Sequence, residues 1–122
     1  MPRTRGDLCA RALFLLGKAE AGQSPAVEDV AEVDRLIDDV GKSLTRLRIV
    51  YEADLGRAGD LASGDIPGSE FLPLADFVAL AAAPGFMVPD APLAARAARA
   101  EAQLRAMQAE TQTDEPIRFT AY

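Results

Sequence analysis

Apolar residues recur along this chain in four stretches with helical spacing, separated by segments rich in Gly, Pro and Asp. In TRGDLCARALFLLG, Leu8, Ala12, Leu15 and Leu16 fall on one face, with Cys9 and Leu13 beside them. Thr4 can accept from the free amides of the first turn, Asp7 complements the positive end of the dipole, and Gly17 suits the left-handed position after the last turn. The pattern predicts a short first helix capped at Thr4 and closed at Gly17. Ser24 and Pro25 then read as N-cap and first residue of a second helix, with Glu28 and Asp29 in its first turn. Ala26, Val30, Val33, Ile37, Val40, Leu44, Leu47 and Tyr51 alternate in steps of four and three. That seam predicts a helix from Pro25 to Glu52, about 40 Å long at roughly 1.5 Å per residue. A domain of this size does not need so long a helix around its own core, so part of the seam is expected to pack on another chain.

Asp54–Gly68 is dense in Gly and Asp and has no sustained period, which predicts a long loop laid against a surface through Leu55, Leu61 and Ile66. Its glycines match neither the Walker spacing nor GxGxxG, so phosphate binding is not indicated. Phe71, Leu74, Phe77, Val78, Leu80 and Ala81 make the next stretch apolar nearly all round, with Asp76 as the main interruption. This predicts a buried third helix from Ser69 or Phe71 to Ala83, starting close to Pro73 and ended by Pro84 and Gly85. Asp90 caps a fourth helix over Ala91–Glu110, whose seam is Leu93, Ala97, Ala100, Leu104 and Met107. Arg96, Arg99 and Arg105 stand off that seam, and Glu101 is placed to pair with Arg105. From Thr111 the helical period stops, and Ile117, Phe119 and Ala121 alternate with Arg118, Thr120 and Tyr122 at the period of a strand. The expected fold is all-α: a small bundle of about four helices with one long member over residues 1–109, and an extended C-terminal tail over 110–122.

Composition narrows the function classes. The 122 residues suffice for one core, and 19 acidic against 13 basic side chains give a formal charge of −6, which opposes general nucleic-acid binding. A helix-turn-helix DNA binder would need a basic recognition helix, whereas the second helix opens with acids. With no His and a single Cys, the Ser-His-Asp and Cys-His arrangements, His-containing zinc sites and an internal disulfide all fall away. Neither an enzyme nor a bound cofactor or metal is expected, and Cys9 reads as a small buried hydrophobe. No window approaches the roughly 20 apolar residues of a membrane span. Arg11 interrupts the apolar stretch after MPRTRGD, unlike a signal peptide.

Charge on the second helix is segregated, with Glu28, Asp29, Glu32, Asp34, Asp38 and Asp39 in its first half and Lys42, Arg46 and Arg48 in its second. Two readings are open. One is a solvated helix that complements its own dipole and is supported by pairs such as Asp38 with Lys42. The other is a ring of identical subunits in which the acidic half, through Glu28 and Glu32, faces the basic half of a neighbour, through Arg46 and Arg48. The tail likewise reads either as a loose terminus or as a strand or groove-filling segment for another protein, with Ile117, Arg118, Phe119 and Tyr122 making the contact.

The opening TRGDLCARALFLLGK, the acid-rich helix from Val27 to Leu47 with its DDV, and the segment PLADFVALAAAPGF together resemble the head-to-tail joining proteins of tailed bacteriophages. They are similar to the tail accessory factors, or head completion proteins, of short-tailed phages, over roughly Thr4 to Met107. The resemblance implies a structural virion protein, made in the host cytoplasm and located at the head-tail interface. It implies a homo-oligomeric ring, twelve-fold like the portal, that binds the portal protein and a downstream tail or nozzle protein. Packaged DNA would pass through its lumen without specific binding, and no membrane is involved. The resemblance also implies that the C-terminal extension, here Glu110 to Tyr122, reaches into the portal. The alternative is a small cytoplasmic helical adaptor or regulator that self-associates through its long helix.

Overall fold

The computed structural model describes residues 3–20, 24–49 and 53–113, the last four of these by their backbone alone. It is an all-α bundle of four helices: α1 (Arg5–Leu15), α2 (Val27–Arg46), α3 (Gly68–Ala82) and α4 (Ala91–Thr113), with a 3-10 turn, Ala83–Phe86, closing α3. The expected number and order of helices are found, while several ends and one long segment differ in instructive ways.

The first helix starts as its sequence dictates. Thr4 accepts from the Asp7 amide at 3.1 Å while Asp7 accepts from the Thr4 amide at 3.0 Å, a reciprocal capping box. It ends where Gly17, at φ 76°, turns left-handed, so that the Lys18 and Gly17 amides donate to the carbonyls of Leu13 and Phe14.

The second helix is shorter at both ends than the expected Pro25–Glu52. Ser24 and Pro25 precede it, and Ala26 occupies the N-cap without a side-chain hydrogen bond. At the other end Arg48 takes φ 63°, and the Ile49 and Arg48 amides donate to Leu44 and Thr45, both at 3.0 Å. This is the same closing motif as in α1, built on a non-glycine residue. Ile49 is then fully buried beside the core. The 4-3 period in the sequence runs through this stop because burying Ile49 outweighs the roughly 1 kcal/mol cost of a left-handed Arg. The helix is therefore about 30 Å long, and Tyr51 and Glu52 lie outside the described residues.

The third helix is the centre of the bundle, packed against α1, α2 and α4. It begins at Gly68, one residue before the earlier of the two expected starts, and accommodates a buried Pro73 inside it. Residues 68–86 also form a stretch whose length and mean hydropathy of 1.2 match a membrane span, contrary to the expectation that no window approaches one. In this fold the stretch is the core helix, with Phe71, Leu74, Ala75, Val78 and Ala79 buried. Leu8 and Leu13 of α1, Val33, Ile37 and Leu44 of α2, and Leu104 of α4 complete the core, with Leu93, Ala97 and Ala100 of α4 also buried.

The segment between α2 and α3 is a strap over the start of α1. Isolated antiparallel bridges join Arg3 to Ile66 and Asp54 to Asp65. The first amides of α1 have no partner within the helix. Here Arg5 donates to the Ser63 carbonyl and Gly6 to the Leu61 carbonyl, both at 2.8 Å. Gly64, at φ 104°, passes so close that a Cβ there would lie 3.1 Å from the Arg5 nitrogen. Of the expected apolar anchors Ile66 is fully buried, Leu55 packs on the core, and Leu61 stays 39% exposed.

Candidate interaction surface

One buried charged group organises the top of the bundle. Arg5 is fully buried at the first turn of α1 and reaches across to α2 and the strap. Its Nε donates to Asp34, its Nη2 donates to the Asp34 carbonyl at 2.8 Å, and its Nη1 donates to Asp38 Oδ1 and to the Leu55 carbonyl, both at 3.1 Å. The second oxygen of Asp34 accepts from the Gly59 amide at 2.9 Å. Burial lowers the affinity of Arg5 for its proton, but the hydrogen bonds and charges of Asp34 and Asp38 outweigh it and hold the guanidinium above its ordinary value.

This network corrects the picture of a uniformly solvated acidic half-helix. Asp34 is 8% exposed and turns to Arg5, and Asp38, still half exposed, also pairs with Arg5 rather than with Lys42. The expected Asp38–Lys42 pair is not formed among the described residues. Sequence reading passed over Arg5. Its signal was an Arg one turn before an apolar run, together with two acids four apart, 34 and 38, flanking the Val33–Ile37 stripe of the partner helix.

Beside the half-exposed Asp38, the outward face of α2 carries Glu28, Glu32, Arg35, Asp39, Lys42 and Arg46. At about 100° per residue they fall within an arc of about 80°. Glu32 is half-buried and paired with Arg35, while the other four are exposed and make no ion pair among the described residues. Of the proposed contact residues, Glu28, Glu32 and Arg46 thus share one face. Arg48 does not: it sits exposed in the left-handed turn beyond the helix. Ile117, Arg118, Phe119 and Tyr122 lie outside the described residues.

Beside this face runs an apolar groove of about 250 Å³ between α2 and α3, lined among others by Leu36, Val40, Leu47, Phe77 and Leu80. Leu47 at its end is 54% exposed. On α4, Arg105 pairs with Glu101 at 3.0 Å, as its spacing requires, and also reaches the Leu47 carbonyl at 3.4 Å. Arg96 is held by Asp76 of α3 at 3.0 Å, which accounts for the main polar interruption of the core helix.

The one thiol of the chain is withdrawn from solvent. Cys9 is fully buried, and burial first, then the charge of Asp34, pushes its thiol up to about 12. Among the described residues no group of three or more Cys, Asp or Glu side chains could hold a metal ion. No protein family, curated protein or solved structure matches the chain.

Proposed function

We propose that the chain is a head-to-tail connector subunit of a short-tailed bacteriophage, a ring-forming adaptor between the portal and the tail. The reading rests on the resemblance of Thr4–Met107 to that family, and it is consistent with the all-α bundle and its extended last helix. Met107 of α4 packs against the core, and the helix runs on to Thr113. The segment after it contains Ile117, Arg118, Phe119 and Tyr122, two aromatics and an aliphatic residue around one cation, a composition suited to filling a groove on a partner. In this reading the bundle forms the ring wall, the C-terminal segment engages the portal protein, a downstream tail or nozzle protein docks beneath, and DNA passes through the lumen unbound. Net negative charge suits such a channel, since like charge keeps DNA from adhering.

Deletion of Ile117–Tyr122 tests the reading. Particles lacking these residues are expected to lose their packaged DNA or fail to recruit the tail, and the truncated chain is expected to lose co-sedimentation with purified portal protein. Truncated chains that still join portal rings and yield DNA-filled particles would refute the tail anchor. A full-length chain that stays the same size when mixed with portal protein would refute the connector itself.

A further inference from the structure

The groove between α2 and α3 is lined by apolar side chains that the bundle leaves open to water. Leu36, Phe77 and Leu80 are half-buried, and Leu47 at its end is 54% exposed. The groove runs from Leu47 to Leu36, about 16 Å along α2. Its Leu47 end is also where α4 passes, since Arg105 donates to the Leu47 carbonyl.

From Arg105, α4 continues for eight residues, about 12 Å, to Thr113. Nine residues follow, 114–122, and Ile117, Phe119, Ala121 and Tyr122 among them are apolar. We infer that this C-terminal segment folds back on its own chain and seats Phe119 in the groove.

Reach selects this groove. Coming level with Leu47 again takes about 12 Å, and crossing from α4 to the groove beside α3 takes about 10 Å, the spacing of packed helices. The direct path is therefore about 16 Å. Phe119 lies six residues beyond Thr113, a span of up to about 20 Å, so it arrives beside Leu47 and Val40 with about one residue to spare. A second hollow, lined by Pro25, Val27, Val30 and Leu61, sits at the other end of α2. Val27 is twenty residues from Leu47, about 30 Å further on, which exceeds what remains of the roughly 30 Å that all nine residues can span.

Charge agrees with the path. Asp114 and Glu115 come first, and they pass the end of α2, where Arg46 and Arg48 are exposed and make no ion pair among the described residues. A tether this short holds the segment at an effective concentration of about 1 mM, so a contact too weak to join two molecules closes within one. The segment that the connector reading assigns to the portal is thus covered in the free chain, and a partner must displace it from the groove. The docking concerns the chain alone and does not rest on that reading.

The test is nuclear magnetic resonance of the full chain by itself, with methyl and aromatic protons assigned. Nuclear Overhauser contacts are expected between the Phe119 ring and the methyls of Leu47 and Val40, and they should survive tenfold dilution. Phe119→Ser alters no residue of the four helices. It is expected to shift the methyl signals of Leu47, Val40 and Leu80 and to leave those of Leu8 and Leu13 in place. Absence of any contact from Phe119 to the groove would overturn the docking. Contacts that vanish on dilution would give the groove to the segment of another copy and overturn it as well, as would a Phe119→Ser chain whose groove signals match those of the unaltered protein.

Discussion

Replacing Arg5 with Met removes the charged head while keeping much of the side-chain volume, and its cost can be worked from the contacts it breaks. Four hydrogen bonds are lost, two to carboxylates and two to backbone carbonyls, and all join α1 to α2 or to the strap. Asp34 is left as an anion 8% exposed, holding only the Gly59 amide at 2.9 Å. Removing one partner of a buried ion pair typically costs about 3–5 kcal/mol, most of it for the stranded charge rather than for the lost bonds. A chain of 122 residues has a total stability of about 6–18 kcal/mol, so Arg5→Met is expected to remove a large fraction of it. Urea denaturation followed by circular dichroism measures this; at a slope of about 2 kcal/mol per molar, the midpoint should fall by about 2 M. Asp34→Asn in the Arg5→Met background removes the stranded charge yet leaves an oxygen for Gly59. The double variant is therefore expected to be more stable than the sum of the single changes allows, by at least about 1 kcal/mol. An Arg5→Met cost below about 1 kcal/mol, or strict additivity of the two changes, would show that the network does not anchor the strap.

Three further outcomes are expected at particular residues. Arg48→Gly should stabilise the chain by about 1 kcal/mol in the same assay, since it relieves a left-handed φ of 63° at an exposed position, and a loss of stability would contradict the closing turn described. Gly64→Ala should cost about 1–3 kcal/mol, because at φ 104° its Cβ would press on the Arg5 nitrogen and the Asp54 carbonyl. The raised pKa of Cys9 means that the folded state holds a proton the unfolded thiol releases above about pH 8.5. Stability should therefore fall as pH rises from there toward about 12, by at most about 1.4 kcal/mol per unit, and Cys9→Ala should remove that part of the slope; an unchanged slope would place the thiol in a wetter site than its burial indicates.

The helical character of all four stretches, the capping box at Thr4, the turn at Gly17 and most of the core were legible in the amino-acid order, because each depends on neighbours within a few residues. The apolar stripes of α1, α3 and α4 face the core as their periods require, and the Arg105–Glu101 pair needs only a spacing of four. What failed to show in the order of residues was set by distant partners. The seam of α2 continues to Leu47 and beyond, yet the helix stops at Arg46, since burying Ile49 against the core is worth more than one further turn. Asp34 and Asp38 are chemically the same as the other acids of that helix. Their orientation toward Arg5 depends on how α1 packs across α2, a relation between residues 29 and 33 positions apart. The sequence alone thus determined an acidic helix in a small all-α bundle. Only the tertiary packing decided that two of those acids, Asp34 buried and Asp38 half exposed, serve one buried arginine that ties α1 to α2 and the strap.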